Sequence, residues 1–158
     1  MSNQPCPPNI GICSDPLFNN PEWVAFSRKP SIKVEEKGKK YIALNPNGEC
    51  VAKAKVDNGL IAGSEVSKAD YIVLRCDLDM AYIVELKGSD VSKACEQILS
   101  TVNLLPILEK YTVNARIICS RAPSPDLRSS HRGKLDKLCR AKSGNLKVKV
   151  KFMEESFQ

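Results

Sequence analysis

The spacing of apolar residues along this chain changes at Gly88. Before it, from Tyr41 onward, short runs rich in Val, Ile and Tyr alternate with Gly-, Asn- and Asp-bearing breaks: YIAL, ECVAKAKV, DYIVL and AYIVELK. Runs of that length and composition predict strands. After it, Val91, Ala94/Cys95, Ile98, Val102 and Leu105 recur every three or four residues. That spacing predicts an amphipathic helix, with Ser89 or Asp90 as N-cap and Pro106 near its end.

Further on, NARIICS (114–120) reads as a buried strand and Arg121 to Ser130 as a proline-bearing loop. Gly133 to Ala141 reads as a short basic helix, and the strict alternation of LKVKVKF (146–152) as a last strand. Asn45-Pro46-Asn47-Gly48 predicts a tight turn joining the first two strands. Asp57 through Ser67 is another turn region. Residues 1–22 hold five prolines and little periodicity, which predicts a disordered or extended arm. Residues 23–40 are ambiguous, with EEKGKK as an exposed loop, and 23–158 read as a single domain. The order ββββαβ(α)β predicts an α/β (α+β) fold, a helix packed on one face of a mixed sheet.

One hairpin register decides what chemistry the strands can carry. Period-two geometry puts Ile83, Glu85 and Lys87 on one strand face and Tyr82, Val84 and Leu86 on the other. If DYIVL and AYIVELK pair antiparallel about an even-length tip at Asp77-Leu78, Asp70 lies opposite Glu85. Opposed side chains have Cβ atoms about 4.5–5.5 Å apart. An odd tip would put the acids on opposite faces. Two carboxylates that close oppose each other's ionisation unless a cation lies between them. Mg²⁺ suits such a site, with water and a substrate phosphate completing its shell, and Mn²⁺ is its substitute. Lys87, farther along the same face, is placed to orient the attacking water, whose pKa the metal lowers. The plainer alternative makes Asp70 a turn residue and Glu85 and Lys87 a solvated, ion-paired face.

Composition narrows the classes. A chain of 158 residues with 42% apolar content is long enough for one substantial core. No stretch approaches the ~20 apolar residues of a membrane span. The first residues lack the basic and apolar regions of a secretory signal, so a cytoplasmic or nuclear protein that is not secreted is expected. The seven cysteines form no C-x2-C pair and accompany a single histidine. No zinc constellation follows from them, and reduced, structural thiols are expected, as for Cys119 within ARIICS.

The net charge of +6 is uneven: residues 1–109 carry twelve Lys/Arg against fourteen Asp/Glu, and residues 110–158 twelve against four. A basic C-terminal third predicts an electrostatic footprint for a polyanion. Arg121, Arg128, Arg132, Lys134, Lys137 and Arg140 are the expected nucleic-acid contacts. Lys147, Lys149 and Lys151 serve equally well to guard a sheet edge. His131 has no acid partner in sequence and reads as a surface residue. Asp57, Asp77 and Asp79 read as turn formers.

With Asp70, fourteen residues, Glu85-Leu86-Lys87 and then Gln97, the chain resembles the PD-(D/E)XK, or restriction-endonuclease-like, nuclease superfamily. KADYIVL and AYIVELKGSDVSKACEQI are similar to the central motifs of its small bacterial and viral members, over about residues 51–120. The resemblance implies a restriction-endonuclease-like core with the helix after the Glu-x-Lys strand packed on one face of the sheet. It implies Asp70, Glu85 and the Leu86 carbonyl as metal ligands and Lys87 as catalytic lysine. It also implies Gln97 as a helix residue that supports the site or contacts the nucleic acid. Ala69 stands where a proline often precedes the aspartate. An additional glutamate would come from Glu22, then from Glu35 or Glu36.

The expectation is therefore a Mg²⁺-dependent nuclease hydrolysing DNA phosphodiesters, with DNA ahead of RNA, no membrane partner, and a homodimer or protein partner by analogy. A non-catalytic nucleic-acid-binding or regulatory protein on the same fold is the alternative. A third class is an interaction factor that docks through its N-terminal arm.

Overall fold

The computed structural model describes residues 5–63, 65–86, 90–121 and 130–156. Two 3-10 turns (Ile12–Ser14 and Pro16–Phe18) lead into β1 (Val24–Ser27), β2 (Ser31–Glu36), β3 (Lys39–Leu44) and β4 (Val51–Lys55). Then come β5 (Tyr71–Arg75), β6 (Met80–Glu85), α1 (Val91–Leu104), a 3-10 turn (Pro106–Lys110) and β7 (Thr112–Cys119). The chain continues through α2 (Ser130–Ala141), β8 (Leu146–Val150) and β9 (Phe152–Ser156).

A six-stranded sheet runs in the order β1-β4-β5-β6-β7-β8. Its first three pairings are antiparallel, and β6–β7 and β7–β8 are parallel, so the sheet is mixed, as expected. Parallel neighbours require a long crossover, and α1 and α2 supply the two that are needed here. Alternation sorts the strand residues onto two faces. Ile72, Leu74, Ala81 and Ile83 pack with Ala94, Cys95 and Ile98 of α1 and Leu135 and Cys139 of α2. Val73, Tyr82, Val84 and Leu86 face the other way, onto Ile32, Val34, Tyr41, Ala43 and Met153. That second face is covered by a three-stranded sheet, β2-β3-β9. The result is three layers: helices, large sheet, small sheet.

An ion-paired knot pins the small sheet to the large one. Arg116 of β7 donates to Glu155 of β9 at 2.7 Å, and the Tyr41 hydroxyl of β3 donates to the same carboxylate at 2.6 Å. Burial pushes the Glu155 carboxyl up, but these two hydrogen bonds together with the charges of Arg116 and Lys147 outweigh it and hold the group below its ordinary value.

Four expectations are corrected. The Asn45–Gly48 turn does not close a hairpin, because β3 and β4 belong to different sheets and the turn carries the chain between layers. The hairpin in this region is β2–β3, whose Lys37 and Gly38 both take positive φ (46° and 80°), as a tight primed turn requires. LKVKVKF is not one strand either. It breaks at Lys151 (φ 63°), where β8 ends on β7 and β9 begins on β3.

The N-terminal segment is packed rather than loose, since Ile12 and Phe18 are buried in the helix-side core. And four of the seven cysteines are bonded, Cys6 to Cys50 and Cys13 to Cys76. Cys95, Cys119 and Cys139 are free and buried, the state expected for all seven.

Candidate functional site

The β5–β6 hairpin has the even register. Its ladder runs from Tyr71↔Val84 to Arg75↔Met80 around a four-residue tip, so facing residues sum to 155. Extended one step, that ladder sets Asp70 opposite Glu85, on the sheet face that carries Ile72 and Ile83. A hydrogen bond seals the step: the Leu86 N–H donates to Asp70 Oδ2 at 2.8 Å. Both acids are withdrawn from solvent, with Asp70 at 9% exposure and Glu85 at 0%. The Leu86 side chain is buried on the opposite face.

Asp70 is fixed from three more directions. Its carbonyl accepts from Val56 N–H at 2.9 Å, at the end of β4. One residue earlier, the Ala69 N–H donates to Thr101 Oγ1 at 2.8 Å, and that hydroxyl in turn donates to the Gln97 carbonyl at 2.8 Å. The Gln97 Nε2 donates to the Lys68 carbonyl at 3.3 Å. Thus α1, capped at its start by the Asp90 side chain on the Lys93 N–H, holds the segment that delivers the aspartate. Gln97 is buried, not solvent-facing, and it reaches the site through the backbone before Asp70.

The sequence reading misses Lys68, gives Asp57 only as a turn former and ranks Glu36 behind Glu22. Lys68 is buried, ion-paired to Asp57 at 3.5 Å, and donates to the Gly63 carbonyl. Its signal was available, because the alternation through Asp70, Ile72 and Leu74 extends back to it. Asp57 is therefore more than a turn former. Glu36, at the end of β2, is raised in pKa by burial and by Asp70 and Asp57, against Lys37 and Lys55. Burial, Glu36 and Asp70 likewise raise Tyr71. Of the three glutamates considered, Glu36 is the one whose carboxyl feels Asp70. Nothing in the sequence ties β2 to this end, because the β2–β3 hairpin reaches the large sheet only by packing across its face.

A cleft of about 370 Å³ opens beside these groups, between the segment after β4 and the first turns of α1. Asp57, Asn58, Ser67, Lys68, Lys93 and Gln97 line it. The helix α2 begins nearby, with His131 Nδ1 3.3 Å from Ser92 Oγ of α1. Both helix starts therefore lie together, past the carboxyl ends of parallel strands, where open α/β sheets bind ligands.

The basic residues divide. Arg121 is exposed just past β7, and Arg132 is half-buried close enough to Cys95 to oppose the rise that burial gives its thiol. Lys134, Lys137 and Arg140 are exposed along α2 and lead away from its start, and Arg140 also pairs with Asp136 at 3.1 Å. Lys147 pairs with Glu155 at 3.4 Å on the edge strand β8. Lys87 and Arg128 lie outside the described residues. Among the described residues no three His, Cys, Asp or Glu side chains are gathered to hold a metal ion. No helix there is long and apolar enough to cross a membrane.

Asp70 and Glu85 are nonetheless donors of one chemical kind: two carboxylates on one face, both hard oxygen. That set fits Mg²⁺ or Mn²⁺ and does not suit a soft cation. Comparisons add no relative, as no family model, no curated protein and no solved structure matches the chain.

Proposed function

We propose that this chain is a metal-dependent nuclease that hydrolyses DNA phosphodiesters, built on a restriction-endonuclease-like core. The observation that carries the reading is the pairing of Asp70 with Glu85, locked by the Leu86 N–H, on the sheet face against which α1 packs. Two buried like charges so placed are costly unless a cation shares them.

In this account Asp70 and Glu85, with the Leu86 carbonyl, hold Mg²⁺, and Mn²⁺ replaces it. When bound, the ion lowers the pKa of a water and stabilises charge on the phosphate. Asp70 presents the oxygen not engaged by Leu86. Lys87, two residues after Glu85 in sequence, orients the nucleophilic water and shields its charge. Gln97 and Thr101 keep Lys68-Ala69-Asp70 in place through the hydrogen bonds described above. Arg121, Arg128, Arg132, Lys134, Lys137 and Arg140 contact the phosphate backbone, which makes binding strongly salt-dependent.

Cleavage of supercoiled plasmid and branched DNA, in Mg²⁺, Mn²⁺ and EDTA, tests the reading. Nicking that needs the ion and collapses in Lys87→Ala is expected. Equal cleavage by the wild type and Lys87→Ala would remove the lysine from the mechanism. The exposed row Lys134, Lys137 and Arg140, which leads away from the acids, favours a second reading, a DNA-binding protein without turnover. Tight, salt-sensitive binding with no cleavage in either ion is its signature.

A further inference from the structure

The four bonded cysteines form one cluster, not two separate staples. Cys50 and Cys76 flank the β4–β5 ladder, one step beyond Val51↔Arg75, and the Cys76 N–H donates to the Cys50 carbonyl at 3.2 Å. Residues directly opposed in an antiparallel pair point to the same face with Cβ atoms about 4.5–5.5 Å apart. Cys6 and Cys13 meet them from the N-terminal segment, each with Cα atoms 5.5 Å from its partner's. The two disulfides thus lie side by side on the helix side of the sheet, at the end remote from Asp70 and Glu85, and in this bonded form they make no metal site.

We propose that Cys6, Cys13, Cys50 and Cys76, once reduced, form a four-thiolate site for Zn²⁺. While the sulfurs are bonded in pairs they have no thiolate to offer. A dithiol reductant supplies two electrons and two protons to each S–S bond, is itself oxidised to a disulfide, and leaves four thiols. Zinc then displaces their protons to solvent. A tetrahedral site with Zn–S bonds of about 2.3 Å sets its sulfurs about 3.8 Å apart. Sulfurs freed from a disulfide separate to about that distance by side-chain rotation alone.

Contacts other than the S–S bonds also hold the N-terminal segment. The Ile12 N–H donates to Asp79 Oδ1 at 2.9 Å, tying the N-terminal segment to the tip of the β5–β6 hairpin. Ile12 and Phe18 are buried in the core. A cavity of about 30 Å³ adjoins Cys50 and Cys76, and Arg28, Glu49 and Asp77 line it with them. The ligands come from three separate segments, which is why no spacing in the sequence announces them. The site is independent of the nuclease reading. It gives the chain two stable forms, disulfide-bonded in an oxidising compartment and zinc-bound in a reducing one.

Cobalt(II) titration of the full chain, reduced with a phosphine and kept anaerobic, tests this. The expected result is one Co²⁺ per chain, with the visible bands of tetrahedral cobalt and near-ultraviolet thiolate charge transfer, both erased by added Zn²⁺. Cys50→Ser and Cys6→Ala, each shown by circular dichroism to be folded, should lose the charge-transfer band, and Cys119→Ser should keep it. A reduced wild-type chain that takes up no tetrahedral cobalt overturns the proposal. So does a spectrum unchanged in Cys50→Ser and Cys6→Ala, or a purified chain that carries iron and acid-labile sulfide on these cysteines.

Discussion

The Leu86 N–H donates to Asp70 Oδ2 at 2.8 Å, joining two residues sixteen apart in sequence at the end of the β5–β6 ladder. That bond does two things at once. It holds the aspartate against the strand that bears Glu85, and it satisfies a backbone donor that would otherwise be buried alone.

Asp70→Ala should therefore destabilise the chain by about 1–3 kcal/mol, the cost of an orphaned buried N–H. Asp70→Asn keeps a carbonyl acceptor and removes the like charge facing Glu85, so its loss should be the smaller. Urea unfolding of the two variants checks the order. Both should abolish metal-dependent cleavage, which separates the structural role of the oxygen from its charge.

Thr101→Val is the sharpest test of how α1 positions Asp70. The swap nearly conserves shape but removes the acceptor for the Ala69 N–H. A loss of about 1–3 kcal/mol is expected in urea unfolding. Cleavage should fall with Mg²⁺ saturating, because the aspartate is displaced, not deleted.

The Arg116–Glu155 pair predicts an acid sensitivity. Glu155 is held below its ordinary value of 4.5, so the stability it contributes is fully present above that value and is lost as the pH falls through its lower folded pKa. Arg116→Met leaves the half-buried carboxylate without its main partner and should cost about 3–5 kcal/mol at neutral pH. The acid-side decline seen in the wild type should shrink in that variant. Thermal melts from pH 7 to pH 3 measure both.

Thiol counting tests the cysteine assignment. Burial pushes the Cys95 and Cys139 thiols up to about 11, and it raises Cys119 as well. The oxidised native chain should react with none of its cysteines at pH 8. Denatured without reductant it should show three thiols, and denatured after reduction seven. As the pH climbs from about 9 toward 11 the unfolded chain ionises these thiols before the folded one does, so stability should fall there.

Much of the site was legible because its signals are local. DYIVL and AYIVELK are two short period-two runs around a brief tip, so only parity separated the acids-together register from the acids-apart one. The helix stripe from Val91 to Leu105 placed α1 to within a residue. What failed was every inference that needed a distant partner. Asn45–Gly48 has hairpin chemistry, but the chain leaves for another sheet, and a turn cannot encode which strands will pair. The alternation of LKVKVKF is uniform across Lys151, although the strand's neighbours change there. Prolines made residues 5–22 look loose, while two buried side chains and two cross-chain sulfur bonds hold them. Glu36 and Lys68 belong to the site through tertiary contacts, and only Lys68 had a periodic cue.

Calorimetric titration of Mn²⁺ into the disulfide-bonded chain tests the central claim most directly, because Mn²⁺ is a hard ion and the four sulfurs are then unavailable to it. The account predicts one Mn²⁺ per wild-type chain and none in Asp70→Asn or Glu85→Gln. A wild type that binds no Mn²⁺, or variants that bind it as the wild type does, would contradict a metal-dependent nuclease built on this pair.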